Sequence, residues 1–225
     1  MAFRTDKVIF YHIPKTGGRW VKAAMIYAGV PYRRAKYYYG TDRKPPKELV
    51  KAHALRLKRE HETPLGVLNE DKDKLFSFTF VRRPLTWYKS FWAHRMLADG
   101  IEGRMRMTNS FPLDWIWDGN FEKFIANVLR KYPDGFLTDV FRLYVGKDGK
   151  ALDFIGKQEN LREDLIRALT LAGETFDKKK IMKVKRVNIS SGSIFFTKNN
   201  LLDINDHLAK ELDENEKWII DTFYN

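Results

Sequence analysis

The chain has 225 residues, of which 44% are hydrophobic and 31% are charged, a balance that excludes a disordered polymer and predicts a buried core. No apolar run approaches the length of a membrane span, and the absence of cysteine excludes disulfide bonds, thiolate nucleophiles and cysteine-ligated metals. The net charge of +12 predicts an anionic partner: nucleic acid, an anionic lipid surface or a small, highly charged ligand.

The N-terminal residues lead directly into a strand-like segment, so we expect no secretory signal there. A chain without cysteine also suits a reducing compartment, which favours a cytoplasmic location. The sequence contains no internal repeat and no evident linker, and we therefore expect one domain over residues 1–225.

Two strand–turn–helix units organise the first hundred residues. The nearly continuous apolar run over 8–13 predicts a strand buried on both faces, and a helix over 20–28 follows the break at 14–18. The pattern recurs with a strand over 75–81 and a helix from Pro84 to about 97, because proline suits a first helical turn.

The remaining segments continue this alternation. They are, in order, a basic helix over 48–60, a helix over 121–132 capped by Asn120, a strand over 152–156, a helix from Asn160 to about Gly173, a strand over 180–189 and a last helix opened by 213–216. Strands that alternate with helices predict the α/β fold class, with a central, mainly parallel sheet covered by helices on both faces.

The turn after the first strand carries the residues of an anion site. Ligands of open α/β sheets bind at the carboxyl ends of the strands, where helix N-termini present unpaired amides. Gly17 and Gly18 let the backbone approach an anion closely, and Lys15 adds a mobile positive charge. The lysine precedes the glycines, so the GxxxxGK[ST] pattern of nucleotide kinases is absent. A plain strand-to-helix connection is the alternative interpretation of this turn.

The second junction carries Arg82 and, eight residues later, Ser90. An arginine can hold a phosphate with two parallel hydrogen bonds, and a hydroxyl on the following helix can add another. By itself this pair occurs too widely to identify a function.

Together the two junctions resemble a known family. Residues 12–18, HIPKTGG, resemble the 5′-phosphosulfate loop of sulfotransferases that use 3′-phosphoadenosine 5′-phosphosulfate (PAPS), in style closest to the carbohydrate branch, such as the heparan sulfate 2-O-sulfotransferases. Residues 80–90 resemble the family's 3′-phosphate element, and 154–165 resemble a stretch that many of these enzymes carry before a helix. The three segments occur in the family's order.

The resemblance implies roles for individual residues. Lys15 would contact the 5′-phosphosulfate and steady the bridging oxygen as the sulfuryl group departs, while Arg82 and Ser90 would bind the 3′-phosphate. The full set of candidate donor-binding residues is Pro14, Lys15, Thr16, Gly17, Gly18, Arg19, Trp20, Arg82, Ser90, Lys185, Arg186 and Ser190.

Some of these candidates depart from the family pattern or have a simpler interpretation. Trp20 matches a position where cytosolic members place a tryptophan against the adenine, but packing in the core would also explain it. Arg19 stands where many relatives have threonine or serine. Lys185, Arg186 and Ser190 are candidates for the basic loop that covers the 3′-phosphate in relatives.

The acceptor hydroxyl needs a base, and histidine is the usual choice because its pKa is near neutral. His53 lies between the two phosphate elements, where the glycan 2-O-sulfotransferases place a catalytic histidine, and His61 is the second candidate. A carboxylate stays open as the base, and an exposed histidine on a basic helix is the alternative interpretation of His53. We expect His12 to be packed beside the phosphate loop.

We therefore predict an enzyme that moves a sulfuryl group from PAPS, without a metal, to an acceptor and releases adenosine 3′,5′-bisphosphate. The acceptor would be a glycan or a small hydroxylated molecule, since aromatic residues and the basic stretch over 33–59 suit an anionic sugar. Two other classes stay open: a nucleotide-dependent phosphotransferase and a non-enzymatic nucleic-acid-binding protein. We expect no nucleic-acid partner, because no docking module is recognisable.

Overall fold

The computed structural model describes residues 2–36, 63–64, 67, 74–98, 113, 116–185 and 200–225. The chain forms two compact units: Met1–Arg82 with Phe141–Val187, and Arg83–Val140 with Asn188–Asn225. They are called the first and the second unit below. That both belong to one domain stays a prediction.

The strands are short, and helices follow the second, fourth and fifth of them along the described chain. The strands are β1 Ala2–Arg4, β2 Val8–Tyr11, β3 Arg33–Arg34, β4 Phe76–Val81 and β5 Phe154–Lys157. The helices are α1 Gly18–Tyr27, α2 Pro84–Ala98, α3 Phe121–Lys131, α4 Phe136–Val145, α5 Leu161–Leu171, α6 Lys178–Lys183, α7 Asp206–Asn215 and α8 Lys217–Phe223, with a 3₁₀ turn at Gln158–Asn160. The predicted helix over 48–60 lies outside the described residues.

The strands form one sheet in the order β3-β1-β2-β4-β5. The pairs β2–β4 and β4–β5 are parallel, whereas β1 is antiparallel to both of its neighbours. The connection from β1 to β2 is only residues 5–7, which is too short for the crossover that a parallel pair requires. The α/β fold class with a mostly parallel central sheet is confirmed, and among the described strands β1 alone runs in the reverse direction.

One face of the sheet packs against helices of the first unit. This core contains residues of alternate strand positions and of three helices: Val8, Phe10, Phe78, Phe80, Trp20, Val21, Ala24, Met25, Leu165, Ala168, Leu169 and Ile181. Ile9 and Tyr11, which point to the other face, are buried as well. The prediction that the first strand is buried on both faces is therefore confirmed.

The second unit is helical and rich in aromatic residues. Helix α7 packs against α2 and α3. The rings of Trp87 and Phe91 stack with centroids 5.4 Å apart, and Phe91 stacks on Phe124 at 6.1 Å. Asn120 caps α3 as predicted, because its side chain accepts a hydrogen bond from the Lys123 amide at 2.9 Å.

The predicted strand over 180–189 is wrong in its first part, where the chain forms α6 instead. Asp177 begins this helix, since its side chain accepts a hydrogen bond from the Lys180 amide at 3.1 Å. Ile181 then points into the core. Helices α4 and α7 were not predicted, and the last helix begins at Lys217 rather than within 213–216.

Candidate functional site

The carboxyl ends of β2 and β4 lie side by side in the first unit. The two strands are parallel neighbours, with Phe10 opposite Phe78. Arg82 follows β4 directly, and its Nη1 donates a hydrogen bond to the backbone carbonyl oxygen of Lys15 at 3.0 Å. The structure thus brings together the two loops whose lysine and arginine the sequence singled out.

The loop between β2 and α1 is folded by its own hydrogen bonds. The Thr16 hydroxyl is buried and donates to the carbonyl oxygen of Ile13 at 2.9 Å. Lys15 and Gly17 both have left-handed backbone angles, with φ of 65° and 92°. Left-handed residues in such a turn are a feature of anion-binding nests, in which backbone amides point to one side.

Both glycines of the loop stand where a side chain would collide. A Cβ at Gly17 would lie 2.7 Å from Cδ2 of Leu161, and one at Gly18 would lie 1.9 Å from Cδ2 of His12. Gly17 also caps α1, because its carbonyl oxygen accepts from the Trp20 amide at 2.9 Å. The imidazole of His12 is packed on Gly18, as expected, and occupies the place of a side chain there.

A third strand end lies at the same edge of the sheet. Lys157 pairs with Val81 in the parallel register, so β5 ends level with β4. The Lys157 amide donates to Oδ2 of Asp164 at 2.7 Å, which fixes the start of α5. The segment 154–165 thereby places Gln158 and Leu161 next to Gly17. Sequence reasoning missed this contact, although the rule that ligands bind at parallel strand ends applies to β5 too.

The other residues predicted around the phosphate loop have simple environments. Pro14 is buried, whereas the side chain of Arg19 is exposed. Trp20 is 5% exposed and belongs to the core of the first unit, so little of its ring is open to a base. Trp20 therefore packs in the core, which was the simpler interpretation of this residue, and its contact with adenine stays a prediction. Lys185 is exposed and directly follows Val184, the residue that caps the end of α6.

Ser90 is half-buried on α2, within the second unit, and its pairing with Arg82 stays a prediction. Arg186, Ser190, His53 and His61 lie outside the described residues.

Two further histidines are described. The side chain of His94 is exposed on α2. His207 is exposed on α7, with Nδ1 3.7 Å from Oε2 of Glu211. Neither lies in the first unit, which contains the loop over 12–18.

The described part of the chain has neither a metal cluster nor a membrane span. No group of three or more histidine, aspartate or glutamate side chains among the described residues could hold a metal ion. Within the same residues, no helix is long and apolar enough to cross a membrane.

A parallel α/β edge with a lysine–glycine loop and an adjacent arginine defines a class of proteins that bind anionic ligands at strand ends. The model of the sulfotransferase family matches residues 1–193, which include the loop, Arg82 and the segment 154–165. The chain belongs to the sulfotransferase family and is an enzyme that transfers sulfate. No curated protein and no solved structure is similar enough to match it.

Proposed function

We propose that this sulfotransferase takes its sulfuryl group from PAPS and transfers it to a hydroxyl or amine of a carbohydrate acceptor. The observation that carries the proposal is the hydrogen bond from Arg82 to the Lys15 carbonyl, because it holds two cationic loops at one edge of the sheet. A nucleotide with phosphates at its 3′ and 5′ positions suits two such loops. The left-handed turn at Lys15 and Gly17, which directs backbone amides out of the loop, suits the 5′-phosphate.

In this proposal each loop stabilises charge at one end of the donor. PAPS supplies an activated sulfuryl group, whose bond to the bridging phosphate oxygen breaks as a bond to the acceptor oxygen or nitrogen forms. The Lys15 ammonium and the amides of the loop stabilise the negative charge that develops on the leaving oxygen. Arg82 holds the 3′-phosphate with Ser90, and the product is adenosine 3′,5′-bisphosphate.

The proton of the acceptor goes to a base, and His53 is our candidate, with His61 or a carboxylate as alternatives. The reaction as proposed needs no metal, because lysine and amides supply the positive field. A glycan acceptor is supported by the basic composition of the chain, and a cytoplasmic location by its lack of cysteine.

The test is transfer of radioactive sulfate from labelled PAPS to panels of glycans, phenols and peptides. We expect K15A to lower turnover at least about a hundredfold, as loss of a group that stabilises the leaving oxygen does. K22A is the matched control, because Lys22 carries the same charge on α1 and lies over the Phe3 ring at 4.6 Å. H53A should lower turnover but spare donor binding.

Each negative result has a distinct meaning. Unchanged turnover in K15A would contradict the role of the loop, and unchanged turnover in H53A would remove only His53 from the mechanism. Phosphate transfer from ATP that requires magnesium would favour the phosphotransferase. Binding of DNA or RNA that weakens steeply with salt would favour the nucleic-acid-binding protein.

A further inference from the structure

Arg162, in the first turn of α5, connects three parts of the first unit. Its Nη2 donates a hydrogen bond to the carbonyl oxygen of Val184 at 2.7 Å. Its guanidinium carbon lies 6.0 Å from the centroid of the Trp20 ring. One side chain therefore joins the helix after the phosphate loop to the residue that precedes Lys185.

The surroundings of Arg162 leave one of its donors unused. Its Nε is buried and has no hydrogen-bond partner among the described residues. A buried N–H without a partner is costly, so such groups usually mark a place where a ligand or an ordered water completes the bonding. The preceding residue, Leu161, contacts Gly17, and Arg162 itself lies over Trp20 in the helix that follows the same loop.

The two contacts of Arg162 fix where the chain leaves α6. Val184 is held through its carbonyl oxygen, and the half-buried side chain of Val184 packs against the core that contains Trp20. The backbone before Lys185 is thus anchored on both sides, whereas the Lys185 side chain is exposed. Because the backbone position of Lys185 is fixed, only its side chain has to order when an anion binds.

We propose that Arg162 is a positioning residue that sets the preference of the site for a nucleoside 3′-phosphate. It fixes Val184 beside Trp20 and so holds the charge of Lys185 toward that phosphate. This inference rests on the proposed function, since it assumes that the donor is a 3′-phosphorylated adenosine. It adds a residue that neither the phosphate-loop pattern nor the Arg82–Ser90 pair includes.

The test compares the dissociation constants of AMP and adenosine 3′,5′-bisphosphate by calorimetry, without magnesium. The ratio of the two constants measures the contribution of the 3′-phosphate, whereas general loosening of the site would weaken both nucleotides alike. We expect R162A to lower this ratio about tenfold, as loss of a charge-assisted contact does. R162K, which keeps one donor and the charge, should retain part of it.

Arg167 provides the matched control. It lies on the same helix, and its guanidinium carbon is 5.5 Å from the Phe154 ring, so R167A removes an equal charge and a comparable ring contact. We expect R167A to keep the wild-type ratio. K185A should lower the ratio as R162A does, and the double variant R162A/K185A should lose little more than either single variant, because both act through one contact.

The outcomes separate this inference from the proposed function. A wild-type protein without preference for the bisphosphate would overturn both. A wild-type preference that R162A retains, or that R167A lowers equally, would overturn the inference alone. If R162A does not fold, K185A decides: an unchanged ratio in that variant contradicts the positioning role.

Discussion

Gly17 shows how one residue can be required for two physical reasons at once. Its φ of 92° lies in the left-handed region, which costs other residues about 1–2 kcal/mol. A Cβ would also lie 2.7 Å from Leu161, a residue far along the chain. The first requirement is a local property of the turn, and the second comes from the packing of α5 on the loop.

Gly29 separates these two effects, because it has a φ of 82° but no described atom within 4 Å of the place where its Cβ would stand. We expect G29A to lower the free energy of unfolding only by the cost of placing alanine in the left-handed region. G17A should lose about 1 kcal/mol more, since Leu161 must move to accommodate the methyl group. Urea unfolding measures both losses, and calorimetry should show weakened binding of adenosine 3′,5′-bisphosphate in G17A alone. Equal losses with unchanged binding would contradict the packing of Leu161 on the loop.

At the scale of residues, the local pattern predicted two cationic loops at neighbouring strand ends, and the contact of Arg82 with the Lys15 carbonyl oxygen brings those loops together, whereas their binding of a donor stays a prediction. Lys15, Gly17 and Gly18 are candidates because a lysine and paired glycines follow a buried strand. Arg82 is a candidate because it directly follows the second predicted buried strand, over 75–81. The contacts of Leu161 and Arg162 were not predictable, since they depend on which elements meet in three dimensions.

Glu216 is the most consequential polar residue at the scale of elements. It lies between α7 and α8, is fully buried, and holds the start of α4 and the side of α2 in the second unit. Oε1 accepts from the Tyr88 hydroxyl at 2.7 Å and the Leu137 amide at 2.9 Å. Oε2 accepts from the amide and the hydroxyl of Thr138, both at 2.7 Å.

Removing this carboxylate would leave four buried donors without an acceptor. We expect E216A to lower the free energy of unfolding by about 3 kcal/mol or more, because each unpaired buried donor is costly. E214A is the control, since Glu214 is exposed and makes a surface ion pair with Lys217 at 3.3 Å. Urea denaturation compares the two, and a similar small loss in both variants would show that the buried network contributes little.

Glu216 also gives the stability a pH dependence with a definite sign. Burial raises the pKa of Glu216 above the ordinary 4.5, although hydrogen bonds from Tyr88, Thr138 and Leu137 oppose that shift. Between the two pKa values the folded protein holds one proton more than the unfolded chain, so the contribution of Glu216 to stability falls as the pH rises. E216Q cannot ionise and lacks this dependence.

Unfolding experiments on wild type and E216Q over a pH series test the sign. The free energy of unfolding of the wild type, minus that of E216Q, should be largest below pH 4.5 and decrease as the pH rises through the raised pKa. A difference that grows with pH would mean that the network binds the ionised carboxylate more tightly, with a lowered pKa.

The elements were predictable where one periodicity dominated and a cap was present. Helix α3 has a regular apolar stripe and Asn120 at its start, and both predictions hold. Helix α6 was mistaken for a strand because Ile181 and Val184 suggest β structure, while the capping residue Asp177 lies outside the apolar segment. The antiparallel β1 was not predicted either, since three residues carry too little pattern.

At the scale of the whole molecule, the net charge of +12 favours binding of a doubly phosphorylated nucleotide. A ligand that binds only the folded state stabilises it by about 2.7 kcal/mol at a hundred times its dissociation constant. We expect adenosine 3′,5′-bisphosphate to raise the unfolding temperature in magnesium-free buffer, and AMP and ATP to raise it less. A larger rise with ATP, dependent on magnesium, would contradict the assignment of the donor.

The most direct measurement is a crystal structure with adenosine 3′,5′-bisphosphate bound. We predict one nucleotide that spans the ends of β2 and β4, with its 5′-phosphate on the amides of Thr16 to Gly18 and beside the Lys15 ammonium. Its 3′-phosphate should accept hydrogen bonds from the Arg82 guanidinium. A nucleotide that lies elsewhere, or that reaches the lysine loop while its 3′-phosphate points away from Arg82, would contradict the proposed donor site.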